Sequence, residues 1–379
     1  MDNNKVNWKK VITLAGACVA FSIGAGFASG QELIQYYSVH GWWLIPARLV
    51  GFIVLIYGNY CFAIVGNREK ITGGTDAIRY YCGKIFGGII DYFMVFYCYM
   101  SAVVMFSGAG STLHEQYGIP IHIGAIILAA LSCITVVFGL DGIINVISKI
   151  GPILVGVALI LGVYGLVFSI STGGLKEGMD LVSSGQIDHL KASESWFLSG
   201  VNMATGTMLW FAGFMAELGS KERMKDLMWG QTVGLGLGSL ATIIVSLAFV
   251  GLITEVVDLD IPFLYIARMV SPAFASFYTI LIFLAMYTSN CPLLWTASVR
   301  FFDDKSMKFK VLTVILTVVG YFIAMAVPYQ LLMNYVWVIG GYVAMVVFVV
   351  MLFRSIYDIY VFRKNGGAKQ ISDDVPSEK

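Results

Sequence analysis

Residues 22–32 of this chain, from Ser22 to Glu32, read SIGAGFASGQE and lie inside a longer apolar run from Val11 to Tyr37. The run is long enough to cross a bilayer, yet the stretch holds three glycines, two serines, a glutamine and a carboxylate. A helix facing only lipid would leave these polar groups unpaired in hydrocarbon, at a cost of several kcal/mol each. Glycine weakens a helix by about a further 1 kcal/mol relative to alanine. The stretch therefore predicts a membrane helix that breaks at residues 24–26.

A break at this point predicts a binding site. The freed backbone N–H and C=O groups would bind a solute and an ion, as in transporters with discontinuous helices. The alternative is a close helix–helix contact, because small residues also let membrane helices approach each other. The adjacent Gln31 and Glu32 favour the binding site, since carboxylates at membrane depth usually mark a pathway or a site.

The composition places the whole chain in the membrane. Hydrophobic residues make up 58% of the 379 residues and charged residues only 12%, against about 25% in soluble domains. We therefore expect one integral membrane domain over residues 1–379, with the lipid bilayer and a small-molecule substrate as its partners. The net charge of +1 gives no indication of nucleic-acid binding, and protein partners are not indicated. Because we find no nucleophile motif, phosphate-binding loop or HExxH motif, we expect neither an enzyme nor a cofactor.

Runs of about 20 apolar residues predict ten spanning helices in an all-α membrane protein. Lysine and arginine clusters precede the first span and follow the second, sixth, eighth and tenth, which places them all on one side. The positive-inside rule then predicts that both termini are cytoplasmic. The predicted spans lie near residues 9–37, 41–66, 87–111, 121–139, 141–171, 196–217, 228–254, 273–299, 308–328 and 330–355.

The sixth predicted span repeats the anomaly of the first, because residues 202–207 place polar residues and a glycine at its centre. Interrupted helices at positions 1 and 6 of ten indicate a five-plus-five inverted repeat, with the binding site between the two breaks. The repeats would cover residues 9–171 and 196–355, and the polar tail 366–379 is expected to be disordered and cytoplasmic.

Two connections are longer than turns. Residues 71–86 predict an amphipathic segment along the inner interface. Residues 254–272 predict either a cap or lid on the outer side or an interfacial helix.

The string from Gly24 to Glu32, GAGFASGQE, resembles the signature of the YkvI-like bacterial membrane proteins, a branch of the amino acid–polyamine–organocation superfamily. The resemblance implies the LeuT-like fold, in which helices 1, 2, 6 and 7 form a bundle that rocks against a scaffold. Relatives of known activity are mostly secondary transporters of amino acids and similar solutes. The resemblance therefore implies a secondary active transporter that works by alternating access.

The resemblance also implies a substrate site between the first and sixth helices. The 24–26 break resembles the segment whose backbone amides hold a substrate carboxylate. Residues 205–207 resemble the facing break. In the third helix, Tyr97 or Tyr99 is a further candidate to cover the substrate, the alternative being that these rings only pack. The expected substrate-binding residues are Ser22, Gly24, Ala25, Gly26, Phe27, Tyr97, Met203, Ala204, Thr205, Gly206 and Thr207.

In the eighth helix, residues 285–289 resemble the sodium-site pattern of the LeuT group. Oxygen-only ligation suits a hard monovalent cation, so Na⁺ is the expected coupling ion. The alternative is that the two hydroxyls bond their own backbone, which is common in membrane helices. The expected cation ligands are the carbonyls of Ala20, Ile23 and Ala285 and the hydroxyls of Thr288 and Ser289.

Two charged residues are candidates for gating or coupling. Glu32 follows the break by six residues, about 9 Å along a helix, which would place it above the site on the outer path. Lys149, in the fifth helix, would carry a proton in place of sodium, or else extend to the inner surface.

Three functions thus stay open: a sodium-coupled symporter of an amino acid or similar solute, a proton-coupled transporter that uses Lys149, and a non-transporting ligand receptor similar to germinant receptors.

The charge asymmetry generates a topology prediction. Reporter fusions after Lys225 and after Lys310 should report the cytoplasm, and a fusion after Lys191 should report the outside, because basic loops are retained inside. Paired phosphatase and fluorescent-protein reporters measure both outcomes. A fusion after Lys310 that reports the outside would contradict the even count of helices.

Overall fold

The described part of the chain is built from α-helices and one 3₁₀ helix, η1. The computed structural model describes residues 5–22, 25–71, 73–138 and 144–364, and of these it describes only the backbone at 25, 144–152 and 358–364. The elements are α1 (Trp8–Ser22), α2 (Ala25–Ser29), α3 (Gln31–Tyr36), η1 (Ser38–Trp43), α4 (Leu44–Glu69), α5 (Gly74–Tyr117), α6 (Ile121–Phe138), α7 (Ile144–Thr172), α8 (Gly174–Ser183), α9 (Trp196–Lys221), α10 (Met224–Gly251), α11 (Ile253–Val256), α12 (Pro262–Val270), α13 (Pro272–Val299), α14 (Met307–Ala326) and α15 (Tyr329–Lys364).

Within the described ranges, eight helical segments are long and apolar enough to cross a membrane. They correspond to eight of the ten predicted spans. The other two predicted spans coincide with α1–α3 and with α9. The first of these is divided into short helices, and the polar centre of α9 lowers its hydropathy. The all-helical membrane fold is confirmed, whereas the count of ten and the two repeats stay predictions.

The first predicted span is discontinuous. Helix α1 ends at Ser22 and α2 begins at Ala25, while residues 23 and 24 lie outside the described part. The chain turns at Gly30, whose φ of 89° is left-handed. A Cβ at this glycine would also press against the rings of Phe249 and Phe263. Only glycine satisfies both conditions, so Gly30 sets a change of direction that the sequence pattern did not locate.

The second predicted break requires a correction. Helix α9 runs from Trp196 to Lys221 without interruption. The hydroxyl of Thr205 donates to the carbonyl of Val201 at 3.0 Å, and that of Thr207 donates to Met203 at 2.9 Å. Hydroxyls that bond the preceding turn are satisfied without any unwinding of the helix. The sixth helix is therefore continuous in this structure, with a polar centre where we predicted a break.

Two groups of helices pack among themselves. The bundle consists of α1, α4, α9 and α10, and the scaffold consists of α5, α6, α13 and α14. This division agrees with the bundle of helices 1, 2, 6 and 7 that the resemblance implies. Helix α15 contacts members of both groups.

Backbone-to-backbone packing joins α4 to α9 inside the bundle. A Cβ added at Gly200 would overlap the carbonyl of Ala47, and one added at Gly219 would overlap that of Ala63. Asn67 fixes the same interface, because its amide donates to the carbonyl of Gly219 at 3.1 Å. Small residues let membrane helices approach this closely, which makes the pair a tight unit.

The two long connections take defined positions. Helix α5 bends at Gly83, whose φ is 74°, so that residues 74–82 form a separate first segment. Helix α12 is the predicted cap and is not an interfacial helix, because Phe263, Leu264 and Ile266 are fully buried. It packs on α13 and on α2, and so covers the interrupted first span.

The glycine interface generates a stability prediction. Gly200→Ala should lower the unfolding temperature of the purified protein, because overpacking a close contact costs about 1–3 kcal/mol. Gly156→Ala on α7 is the matched control, since in the described part of the chain no atom outside its own helix backbone lies within 4 Å of its added Cβ. Thermal unfolding in the same detergent compares the two variants. Equal unfolding temperatures would contradict the close α4–α9 contact.

Candidate functional site

A cavity of about 440 Å³ lies between the bundle and the scaffold. Its volume falls within the range of about 300–1,000 Å³ that is usual for small-molecule sites. The walls are mostly aromatic and apolar, with a few hydroxyls and one carboxylate. The lining residues are Phe21, Ser22, Gly26, Glu32, Tyr36, Tyr97, Cys98, Ser101, Met105, Asn202, Met203, Gly206, Thr207, Trp210, Phe211, Ser289, Pro292, Leu293, Thr296 and Trp337.

The structure brings six of the expected substrate residues together at this cavity. They come from the end of α1, from α2, from α5 and from the centre of α9, as a site between the first and sixth helices requires. These residues are Ser22, Gly26, Tyr97, Met203, Gly206 and Thr207.

Other expected substrate residues do not line the cavity. Phe27 is buried beside Phe263, with ring centroids 6.3 Å apart. Ala204 faces α4, where it lies next to Gly51. Thr205 is fully buried and donates to Gly341 on α15 at 3.0 Å. Gly24 and the side chain of Ala25 lie outside the described residues.

Glu32 occupies a different place from the predicted one. The extrapolation along a straight helix put it about 9 Å above the break. Because Gly30 redirects the chain, Glu32 instead lines the cavity beside Gly26. A Cβ at Gly26 would overlap both this carboxylate and the ring of Trp337. Glu32 is therefore part of the cavity wall and does not lie on a path above it.

Sequence reasoning missed several wall residues. Tyr36 donates to the side-chain oxygen of Asn202 at 3.1 Å, and Asn202 donates to the carbonyl of Val338 at 3.0 Å. Asn202 lies in the polar centre of the sixth span, and this position was the only indication in the sequence that it belongs to the site. Trp210 and Trp337 carried no signal, because aromatic residues are common throughout this apolar chain.

Side-chain amides close the cavity toward the predicted outer side. Gln31 donates to the carbonyl of Leu259 at 2.7 Å, and Gln35 donates to that of Gln330 at 3.2 Å. Asn334 donates to the oxygen of Gln35 at 2.9 Å. These bonds tie α3 to the loop before α12 and to the start of α15.

Aromatic packing adds a second layer to the outer closure. Tyr278 on α13 donates to the carbonyl of Ala28 at 2.9 Å. Its ring and that of Phe249 pack on Phe263 of the α12 cap, with centroids 5.9 and 5.1 Å apart. On the predicted inner side, Phe21 at the cavity wall packs on Phe211 and Phe214, with ring centroids 4.7 Å apart in each case.

The expected cation ligands are only partly assembled. Thr288 is buried, and its hydroxyl donates to the carbonyl of Ala285 on its own helix at 3.0 Å. Ser289 lines the cavity, and Ala20 is exposed at the end of α1. Ile23 lies outside the described residues. In this structure the hydroxyl of Thr288 therefore bonds the backbone of its own helix, which is the alternative that the sequence left open.

Lys149 belongs to α7, but its side chain lies outside the described residues, so its expected role in coupling stays a prediction.

Comparison of sequences supports the resemblance. The chain is 27% identical to the uncharacterized membrane protein YkvI of Bacillus subtilis (strain 168), over 73% of this chain and 76% of that protein. It is 26% identical to the protein YyaD of the same organism, over 35% of this chain and 38% of that one. No protein-family profile matches the chain.

Comparison of structures shows the fold. MhsT, solved in complex with L-phenylalanine, aligns with a TM-score of 0.60 at 16% identity over 87% of each chain. A Na⁺-coupled sialic acid symporter aligns with a TM-score of 0.54 at 13% identity, over 86% of this chain and 82% of that one. The protein therefore has the LeuT-like fold and resembles YkvI-like membrane proteins.

Proposed function

We propose that this protein is a secondary active transporter, a sodium-coupled symporter of an amino acid or a similar small organic solute. The observation that carries the proposal is the cavity between the bundle and the scaffold, closed on its predicted outer side by amide bonds and aromatic packing. We place the protein in a bacterial plasma membrane because it resembles a bacterial membrane protein, and we place both termini in the cytoplasm by the positive-inside rule.

The walls of the cavity support an organic solute. Aromatic rings from α5, α9 and α15 surround it, and Ser22, Thr207 and Ser289 offer hydroxyl groups. An apolar cavity with a few convergent polar groups is the usual form of a small-molecule site. That MhsT was solved with L-phenylalanine and that the sialic acid symporter is Na⁺-coupled are consistent with this proposal.

The outer closure supports alternating access, because its two sides belong to parts of the protein that can move relative to each other. Gln31 and Gln35 belong to the interrupted first span, whereas α12 and Tyr278 pack with the scaffold. Moving the bundle away from the scaffold and the α12 cap would break the Gln31–Leu259 bond and the Tyr278–Ala28 bond together. The same movement would bring the end of α1 toward α13 on the inner side and close the cavity there.

This movement also supports the sodium proposal. When α1 approaches α13, the carbonyls of Ala20 and Ile23 would join the oxygens of Ala285, Thr288 and Ser289. Sodium bound by these five oxygens would favour the outward-open state and raise the affinity for substrate, as reciprocal coupling requires.

The proposal is tested by uptake into proteoliposomes. Purified protein is first screened by thermal shift against the common amino acids, with sodium or with potassium. Radiolabelled uptake of every stabilising compound is then measured with and without an inward sodium gradient. Binding without any uptake would contradict transport and favour the ligand receptor.

Gly206 generates a prediction about the substrate site. A Cβ added there would lie 3.5 Å from Gly341 and 3.9 Å from the hydroxyl of Tyr97, both ordinary contacts. Gly206→Ala should therefore retain substrate binding within a few-fold. Gly206→Leu would fill part of the cavity and should weaken substrate binding at least about tenfold. We expect this variant still to fold and to insert into the membrane. Calorimetry measures the affinity of both variants for the substrate. Equal affinities would contradict a substrate site beside Gly206.

The driving ion generates a second prediction. Replacing both Thr288 and Ser289 by alanine should abolish the stimulation of substrate binding by sodium, which we expect to be about 5–150-fold. Lys149→Met should leave this stimulation intact. Binding is measured with sodium and with potassium at equal ionic strength. Uptake that does not depend on sodium but is lost in Lys149→Met would establish a proton symporter instead.

A further inference from the structure

We infer that Glu32 recognises the positively charged amine of the transported solute, so that the cavity selects compact organic cations or zwitterions with an apolar body. This inference rests on the proposed function and assigns the class of substrate to the same cavity.

The position of Glu32 is the first argument. Its side chain is only 8% exposed, and it lines the cavity directly over Gly26. The left-handed turn at Gly30 directs the carboxylate inward at this point. A carboxylate in an apolar membrane region is costly unless a positive group or hydrogen-bond donors compensate it.

The lack of a protein partner is the second argument. Across the described ranges of the chain, no group donates a hydrogen bond to Glu32 and no basic side chain lies within 4 Å of its oxygens. The charge of Arg48 attracts Glu32 from a distance. The guanidinium of Arg48, however, donates to the hydroxyl of Tyr37 at 3.3 Å and does not line the cavity. The carboxylate thus keeps its acceptor capacity for a molecule inside the cavity.

The aromatic walls are the third argument. Tyr36, Tyr97, Trp210 and Trp337 line the same cavity as Glu32. An ammonium group held by a carboxylate gains further attraction from aromatic faces, and the rings also pack against an apolar body. Glu32 is the only Asp, Glu, Lys, Arg or His among the described lining residues. Its charge therefore disfavours a solute whose only charge is negative.

The experiment compares matched compounds on one carbon skeleton. Calorimetry measures the affinity of the full-length protein in nanodiscs for 2-phenylethylamine, 2-phenylethanol, 3-phenylpropionate and L-phenylalanine at pH 7. A second set, isoamylamine, isoamyl alcohol and isovalerate, tests whether the preference depends on the ring. We expect each amine to bind at least about tenfold more tightly than its alcohol, because one charge-assisted hydrogen bond contributes this much.

Variants test the role of Glu32 itself. Glu32→Gln should reduce the preference for the amine over the alcohol to less than about threefold, and Glu32→Asp should retain part of it. Glu217→Gln makes the same chemical change on the exposed face of α9 and should leave the preference unchanged. A circular-dichroism spectrum of each variant checks the fold.

Several outcomes would overturn the inference. The first is the absence of amine binding in the wild-type protein, and the second is a preference for the amine that survives in Glu32→Gln. The third is a Glu32→Gln variant that binds the amine as tightly as the wild type but shows an altered pH dependence of uptake. The last would make Glu32 a coupling residue. Uptake of a solute without an amine preference would leave the proposed transport standing while the inference fails. An amine preference that depends on Glu32, without uptake, would support the inference and contradict transport.

Discussion

The structure depends on one constraint, that an interrupted helix at membrane depth must have its freed backbone groups paired by neighbours. The first span meets this constraint in steps. Ser29 donates to the carbonyl of Gly26 at 2.9 Å, Gly30 donates to that of Phe27 at 3.1 Å, and Tyr278 donates to that of Ala28 at 2.9 Å. Irregular backbone is tolerated in a membrane only where protein or a water-filled cavity covers it. The α12 cap, Tyr278 of the scaffold and the cavity therefore surround the interrupted part of the first span.

The same constraint separates the rigid contacts from those that open. Helices α4 and α9 meet through glycines with no room for a Cβ, so they move as one unit. The contact between α2 and the scaffold is made instead by ring packing and by the hydroxyl of Tyr278, which water can replace. A bundle whose helices α4 and α9 pack tightly, and whose interrupted first span meets the scaffold through rings and one hydroxyl, is suited to rocking as a unit.

The sequence predicted the class of fold, because long apolar runs with few charges indicate spanning helices. It also predicted a break at residues 24–26, but residue 24 lies outside the described part, and the interruption that the structure shows lies at Gly30. It failed at the sixth helix, since Thr205 and Thr207 satisfy their hydroxyls on the preceding turn and a polar centre then needs no break. It also misplaced Glu32, because a straight extrapolation cannot detect the left-handed turn at Gly30. The contribution of Trp337 depends on how α15 packs, which no local pattern records.

The chemistry of the outer closure sets how easily it opens. Its first layer consists of neutral amides, Gln31, Gln35 and Asn334, that bond backbone carbonyls and each other. A neutral hydrogen bond contributes only about 0.5–1.5 kcal/mol net, because water replaces it when it breaks. A few such bonds are comparable with the coupling of about 1–3 kcal/mol that a bound ligand usually supplies. A desolvated ion pair would cost more to separate, since each charge would be left without its partner. Neutral amides therefore let the binding of an ion and a solute decide which side of the cavity is open.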